Sequence, residues 1–288
     1  MGVKDSSKDP GHLGKVVKYY SAGESRLGYQ LLLGGTKHFG YYDKIDNPIH
    51  FKSALIRMED RLGVELNLAQ GSLVLDAGCG VGSVARAMAT RFGLRVQGID
   101  ILDFNIAEAK RRSSAQGLDA KTTFAIGDYK NIQFAAATFD GVYTMETFVH
   151  SDDPSAVLEQ FYRVLKPGGR LVMFEYSSTP ERDLSKQAYA ALTRICDLAE
   201  MPGWLELQHG VLERKLSDAG FTDVRSTDIT QNILPMLAWF SKIGKFPYFL
   251  GRTLGIPEKV ANAMSGVETF KYQEAWRYKI YTAVKPSI

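Results

Sequence analysis

A glycine-rich loop is the first part of the sequence whose residue types could support chemistry. Residues 73–83 read LVLDAGCGVGS, in which an apolar strand-like run ends at Asp76 and glycine recurs at positions 78, 80 and 82. Glycine tolerates positive φ and has no Cβ, so this backbone can turn sharply and approach a ligand closely. At the carboxyl end of a strand in a parallel sheet, such a loop predicts a ligand-binding site.

Asp100 supplies a second polar group at the same predicted edge. It ends the segment VQGID, and a carboxylate at the end of the second strand can accept hydrogen bonds from ribose hydroxyls. A dinucleotide fingerprint would require glycine at the third position of G-x-G-x-x-G, and counted from Gly78 that position is Ser83. The loop therefore argues against a dehydrogenase. Two roles stay open for Asp76, which could contact the ligand or accept hydrogen bonds from loop amides.

The elements that must position these residues alternate along the chain. The runs LVLDAG, RVQGID, FDGVYTME, RLVMFEY, TDVRSTDI and WRYKIYTAVKP predict strands, and helical patterns between them predict a parallel sheet with crossover helices. Residues 232–272 form an aromatic and aliphatic insertion, too long for a simple connection, which predicts helices over the sheet edge. Apolar spacing also predicts helices over residues 13–33 and 51–66.

Composition limits the class of protein. The chain has 288 residues, of which 45% are hydrophobic, enough for one medium α/β domain with an elaboration. Its 35 basic and 32 acidic residues leave a net charge of only +3, and no clustered basic patch indicates nucleic-acid binding. Neither a secretory signal nor a membrane-spanning run is evident. Cys79 and Cys196 predict neither a disulfide framework nor a metal site, so we expect a soluble, cytoplasmic protein.

Three motifs in register resemble those of class I S-adenosylmethionine-dependent methyltransferases. Residues 76–82 match the family's acidic-x-G-x-G-x-G motif, Asp128 matches its acidic residue after the third strand, and residues 165–169 match its LKPGG element. Residues 70–180 look most like sterol 24-C-methyltransferases and related small-molecule enzymes. The resemblance implies a Rossmann-like α/β fold, with a seven-stranded methyltransferase sheet, helices on both faces, an N-terminal helical lid and a C-terminal helical insertion.

The resemblance also implies S-adenosylmethionine as cofactor and S-adenosylhomocysteine as product. The glycine loop would contact the methionine part of the cofactor. The residues that end the second strand would hold its ribose, and those after the third strand would lie beside its adenine. An N-terminal aromatic pair would form a lid, its alternative role being packing on a helix. The predicted cofactor-binding residues are Tyr19, Tyr20, Asp76, Gly78, Cys79, Gly80, Asp100, Ile101, Asn105, Gly127, Asp128, Tyr129 and Met145.

Three side chains are candidates for catalysis. The sulfonium activates its methyl group, so the protein must mainly align an acceptor within about 3 to 3.5 Å and exclude water. His150 is at a position that resembles the Glu-Ala-x-x-His element of sterol methyltransferases, and could be a base or a structural partner of loop carbonyls. Glu146 could contact cofactor or acceptor, and His38 lies in a glycine-rich stretch that could close over the site.

We expect methyl transfer to a hydrophobic small molecule such as a sterol, terpenoid or polyketide, with carbon methylation preferred. Two alternatives stay open, namely nitrogen or oxygen methylation of a secondary metabolite, and a cofactor-binding homologue that catalyses a non-methylating step. Within the insertion, residues 233–256 mix apolar bulk with Lys242, Lys245 and Arg252. They could wall an apolar pocket, lie on an intracellular membrane surface, or form a homodimer contact.

These expectations divide the chain into three parts. Residues 1–66 would form a helical lid or cap, residues 67–231 and 273–288 the cofactor-binding core, and residues 232–272 the helical insertion that forms a substrate pocket or a dimer contact.

Overall fold

A seven-stranded sheet lies at the centre of the computed structural model. The structure describes residue 14, residues 16 and 17, and residues 36–43, 50–255 and 260–287. The strands are β1 (Leu73–Ala77), β2 (Arg95–Asp100), β3 (Thr122–Ile126), β4 (Phe139–Met145), β5 (Leu165–Ser178), β6 (Thr222–Asp228) and β7 (Trp276–Val284). They lie side by side in the order β3-β2-β1-β4-β5-β7-β6.

Helices connect the strands and cover the sheet. In the described part of the chain they are α1 (Phe51–Leu66), α2 (Ser83–Arg91), α3 (Asp103–Ser114), α4 (Pro154–Val164), α5 (Lys186–Ala199), α6 (Pro202–Glu206), α7 (Val211–Asp218), α8 (Thr230–Thr253) and α9 (Ala261–Lys271). None of these helices combines the length and the apolarity needed to cross a bilayer.

The sheet topology confirms the predicted Rossmann-like fold and corrects one detail. Strands β1 to β5 pair in parallel, as the alternation predicted. Strand β7, however, runs antiparallel to both of its neighbours, β5 and β6. The sheet edge at β7 therefore departs from the parallel pattern that the alternation of strands and helices predicted. An antiparallel strand needs no crossover helix, and the segment before β7 is free to fold into α8 and α9 instead.

The helix predictions differ from the structure mainly after β5. Helix α1 has the predicted bounds, and α8 begins at Thr230, two residues before the predicted start of the insertion. Helices α5 and α6 were not predicted. The signal for α5 is present, since Ser185 caps its first turn by accepting a hydrogen bond from the amide of Ala188, and apolar residues follow at helical spacing.

Buried side chains form a core on each face of the sheet. Alternate residues of β5 show this, because Val172 and Phe174 belong to one cluster whereas Leu171 and Met173 belong to the other. The first cluster also includes apolar residues of α5, α8 and α9. The insertion therefore packs on the same face as the helix that follows β5.

Residues 36–43, which we call the 36–43 segment, form hydrogen bonds with both α1 and α8. The amide of Tyr41 donates to the carbonyl of Ala54 at 2.9 Å, and the amide of Tyr42 donates to the carbonyl of Asn232 at 2.8 Å. The side chain of Asn232 returns a hydrogen bond to the carbonyl of Tyr42. These bonds fix the 36–43 segment against helices from both ends of the chain.

Candidate active site

The glycine loop after β1 is held open by backbone contacts. Gly78 and Gly80 have φ values of 88° and 51°, in the left-handed region that favours glycine. The amides of Gly78 and Cys79 both donate to the carbonyl of Ile99 at 2.9 Å, which ties the loop to the end of β2. A Cβ on Gly78 would lie within 2.8 Å of Thr147, whereas one on Gly80 would meet no atom within 4 Å. The backbone at Gly80 therefore faces open space.

Asp100 organises this loop. Its carboxylate accepts hydrogen bonds from the amides of Gly80 and Leu102 at 2.9 Å each, and from the side-chain amide of Asn105 at 3.2 Å. Burial raises the pKa of Asp100, while these donors oppose the rise. Because a carboxylate can accept about four hydrogen bonds, Asp100 keeps capacity for a ligand hydroxyl.

Asp76 does not take the loop-binding role that was one of its two expected alternatives. The loop amides of Gly78 and Cys79 donate to Ile99 and that of Gly80 donates to Asp100, while Asp76 Oδ2 is buried without a hydrogen-bond partner among the described residues. Asp76 is buried at the end of β1, and desolvation raises its pKa to about 7, with the hydroxyl of Tyr143 acting in the opposite direction. A carboxyl in this state can accept or donate a hydrogen bond near neutral pH.

The residues after β3 form the far end of the same edge. The amide of Gly127 donates to the carbonyl of Asp100 at 3.0 Å, which joins this turn to β2. The carboxylate of Asp128 accepts from the amide of Lys130 at 2.8 Å. The hydroxyl of Tyr129 donates to the carbonyl of Thr147 at 3.0 Å, and burial raises its pKa, so it remains a neutral donor.

A cavity of about 170 Å³ lies over these loops. Every predicted site residue that the structure describes lines it, namely His38, Asp76, Gly78, Cys79, Gly80, Asp100, Ile101, Asn105, Gly127, Asp128, Tyr129, Met145, Glu146 and His150. We call it the first cavity. Tyr19 and Tyr20, the predicted aromatic lid, lie outside the described residues.

His150 faces the first cavity from the short 3₁₀ turn Phe148–His150. Its Nδ1 lies 2.7 Å from the carbonyl oxygen of Glu200. A carbonyl can only accept, so Nδ1 carries the proton and, in a neutral ring, Nε2 is the basic nitrogen. This hydrogen bond to a loop carbonyl is the contact expected if His150 has a structural role. It also fixes the orientation of the imidazole ring, which a catalytic base would need.

Glu146 is half-buried directly after β4 and accepts three hydrogen bonds. Its carboxylate accepts from the amide of Phe39 at 2.8 Å, from the hydroxyl of Tyr278 at 2.8 Å and from the hydroxyl of Tyr176 at 2.9 Å. Burial raises the pKa of Glu146, and the three donors partly offset that effect. Its own φ of 58° is unusual for a residue with a side chain, so these contacts hold the backbone in a strained conformation.

His38 is held within the 36–43 segment and faces Glu59 of α1. Its Nδ1 lies 2.9 Å from the carbonyl oxygen of Phe39, and its Nε2 lies 3.7 Å from a carboxylate oxygen of Glu59. Glu59 also pairs with Arg91 at 2.7 Å. The hydrogen bonds and charges of these two partners contribute to a lowered pKa of Glu59 despite its burial. Glu59 is therefore a carboxylate, and it faces the His38 ring.

A second cavity of about 310 Å³ adjoins the first, and the two share Lys37, His38 and Glu146. Its other walls are largely apolar and come from the 36–43 segment, β5 and helices α5, α6, α8 and α9. None of these lining residues was predicted by name, although those from position 237 onward lie in the insertion. They are Phe39, Tyr176, Ile195, Ala199, Met201, Trp204, Leu237, Phe240, Ile243, Gly244, Pro247, Asn262, Ala263, Ser265, Gly266 and Thr269. Only the apolar insertion had signalled a pocket.

Residues 75–173 match a family model described as a methyltransferase domain. The chain is 36% identical over 278 residues to the S-adenosyl-L-methionine-dependent Diels-Alderase iccD of Talaromyces variabilis, with 94% of each chain covered. It is 30% identical over 221 residues to the sterol 24-C-methyltransferase ERG6 of Saccharomyces cerevisiae, covering 76% of this chain and 56% of the yeast protein. The solved structure of the (4+2)-cyclase SpnF has the same fold, with a TM-score of 0.77 at 22% identity and 96% of each chain covered.

Proposed function

The chain belongs to the class I S-adenosylmethionine-dependent methyltransferases, and from this premise we propose that it catalyses a (4+2) cycloaddition on a hydrophobic small molecule. The predictions of enzyme family and of S-adenosylmethionine as cofactor are confirmed. The observation that carries the finer proposal is the second cavity, which is apolar, lies in the size range of small-molecule sites and meets the first cavity at Glu146.

The extent of similarity supports this choice of reaction. An alignment that covers 94% of the chain cannot omit a segment as long as α8 and α9, so the Diels-Alderase alignment includes the helices that wall the second cavity. The alignment with the yeast sterol enzyme covers only 76% of the chain and could omit that segment. The fuller similarity therefore supports cycloaddition, because it includes the helices around the proposed substrate site.

The residues of the first cavity fit S-adenosylmethionine. Backbone without a Cβ at Gly80 leaves room for the methionine part, Asp100 can accept from ribose hydroxyls, and Asp128 with Tyr129 lies where the adenine would be framed. When bound, the cofactor supplies a fixed positive charge that can polarise an electron-poor reacting alkene at the junction of the cavities.

The second cavity provides the surroundings that a cycloaddition requires. Two σ bonds and one new π bond form from three π bonds, and no proton or leaving group departs. The enzyme must therefore hold a flexible molecule in its folded, reactive conformation and exclude water, for which aromatic walls such as Phe39, Trp204 and Phe240 are suited. The carboxylate of Glu146 already accepts three hydrogen bonds, so it is better suited to hold the cavity wall in place than to act as a base.

Methyl transfer to the same class of molecule is the second candidate. The similarity to the sterol 24-C-methyltransferase favours it, and carbon methylation remains the preferred form. In that case His150 and His38 would be the groups that could remove a proton, because both line the first cavity.

One experiment separates the two reactions. Purified protein is incubated with S-adenosylmethionine carrying a deuterated methyl group and with a panel of linear polyenes that bear a conjugated carbonyl. We expect a product with the same mass as its precursor, formed only when the cofactor is present and without release of S-adenosylhomocysteine. A product that carries the label, with one S-adenosylhomocysteine per turnover, would instead establish methyl transfer.

A further inference from the structure

An apolar surface on α8 is not explained by either cavity. Eight large hydrophobic side chains are exposed on the described residues, and five of them lie between positions 243 and 254. These five form what we call the α8 apolar face: Ile243, Phe246, Phe249 and Leu250 on α8, and Leu254 directly after its end. Phe246 is 74% exposed and Phe249 is 66% exposed, so each presents most of its ring to the surroundings. Such a concentration of exposed apolar area usually marks an interaction surface.

The exposed charged side chains beside this face on α8 are positive. Helix α8 contains no Asp or Glu, whereas Lys242 and Lys245 on it are exposed. At helical spacing, Lys242 lies one turn before Phe246 and Lys245 lies one turn before Phe249. The α8 apolar face is therefore flanked by cationic groups, and a surface complementary to it must be apolar with negative charge at its margin.

The opposite flank of the same helix borders the second cavity. Gly244 and Pro247 line that cavity, and Ile243 lines it while being 44% exposed. One side chain thus belongs both to the cavity wall and to the α8 apolar face. A surface that covers this face would lie directly beside the proposed substrate site.

We propose that the α8 apolar face docks on an anionic lipid surface, with α8 lying along that surface. Phenylalanine and leucine side chains would enter the boundary between headgroups and acyl chains, and the lysines would contact anionic headgroups. No described helix can span a bilayer, which is consistent with a helix that lies on the surface. The inference concerns binding alone and does not depend on the reaction catalysed.

The test is co-sedimentation of the full chain with vesicles. We expect wild-type protein to bind vesicles of phosphatidylcholine with phosphatidylserine, and to bind pure phosphatidylcholine less. F246S/F249S should weaken binding by about tenfold or more, because two exposed rings are lost. K242E/K245E should remove the preference for phosphatidylserine and its sensitivity to salt. The matched control is V64S/I126S, which alters two side chains of similar exposure, 61% and 64%, outside this face.

Three results would overturn the proposal. The wild type could fail to sediment with either vesicle, or V64S/I126S could lose as much binding as F246S/F249S. Alternatively, sedimentation velocity without lipid could show a dimer that F246S/F249S abolishes, which would assign the face to a second copy of the chain. Cyclisation of a soluble polyene by F246S/F249S should be unchanged, since neither ring lines a cavity, so a failed docking proposal can be told apart from a failed reaction proposal.

Discussion

The carboxylate of Glu146 accepts a hydrogen bond from the backbone amide of Phe39 at 2.8 Å, although 107 positions separate the two residues. The bond fastens the 36–43 segment to the loop after β4, where the two cavities meet. Tyr176 from β5 and Tyr278 from β7 donate to the same carboxylate. One half-buried carboxylate thus holds together the 36–43 segment and the strands β5 and β7, at the place where the proposed cofactor site meets the proposed substrate site.

Glu146→Ala should lower the free energy of unfolding by about 2 to 4 kcal/mol. The amide of Phe39 and the hydroxyl of Tyr278 would lose their acceptor in buried surroundings, and each such loss costs roughly 1 to 3 kcal/mol. Urea denaturation measures the change. Hydrogen exchange at the amide of Phe39 should also become faster, because its hydrogen bond is removed.

Glu146→Gln is the matched control for this prediction. Its side-chain oxygen can still accept from Phe39 and Tyr278, and the hydroxyl of Tyr176 can reorient to accept from the new amide. We expect a loss of no more than about 1 kcal/mol. Equal destabilisation by alanine and glutamine, or unchanged exchange at Phe39, would contradict the role assigned to this carboxylate.

Gly80→Leu should raise the dissociation constant for S-adenosylhomocysteine by about a hundredfold or more. A side chain at this position meets no protein atom and would therefore occupy the first cavity. Gly117→Leu is the control, because Gly117 also has positive φ, at 67°, and open space around it, yet lies outside both cavities. Both variants should show similar strain of about 1 to 2 kcal/mol, but calorimetry should detect lost binding only for the first.

The convergence of the described cofactor-site candidates on one cavity could be predicted from sequence because their geometry is local. Apart from Tyr19 and Tyr20, each of these predicted residues stands within a few positions of a strand end, and a parallel sheet brings those ends to one edge. Gly78, Asp100 and Asp128 therefore meet around the first cavity without any knowledge of tertiary packing. The hydrogen bonds that Asp100 makes to the loop could not be assigned, since ribose and amide donors leave the same sequence signal.

The residues that complete the second cavity around the insertion could not be predicted, because no local sequence pattern indicates which distant side chains face each other. Tyr176 was part of a predicted strand, Trp204 belongs to a short unpredicted helix and Phe240 lies in the insertion, yet all three line one space. The contact of Glu146 with Phe39 is equally non-local. Aromatic residues are common in this chain, so residue type alone did not distinguish cavity wall from core.

Glu175→Gln should flatten the dependence of stability on pH. Glu175 is fully buried on β5, where desolvation raises its pKa from 4.5 to about 8 while the amides of Thr147 and Phe148 oppose the rise. Between these values the folded state keeps a proton that the unfolded state has lost. The contribution of Glu175 to the free energy of unfolding is therefore fully present below about pH 4.5. It is lost as the pH rises through about 8, and the loss amounts to at most about 5 kcal/mol.

Urea denaturation of both proteins at about pH 5, 7 and 9 tests this linkage. Glutamine resembles the protonated glutamic acid, so the two proteins should differ little at the lowest pH, and the variant should be the more stable at the highest. Asp76, whose pKa is also raised, contributes equally to both curves. Parallel pH profiles would show that Glu175 is ionised in the folded protein, contrary to the prediction.

His150→Ala distinguishes a structural role of this imidazole from a catalytic one. His150 lines the first cavity but not the second, and its Nδ1–H donates to the carbonyl of Glu200. Because a cycloaddition transfers no proton, we expect weaker binding of S-adenosylhomocysteine but a turnover within about threefold of wild type at saturating cofactor. A general base would instead show a loss of about a hundredfold or more in kcat with cofactor affinity unchanged. His209→Ala is the control, since His209 bonds to Ser177 and Thr179 outside both cavities and should leave both measurements unaltered.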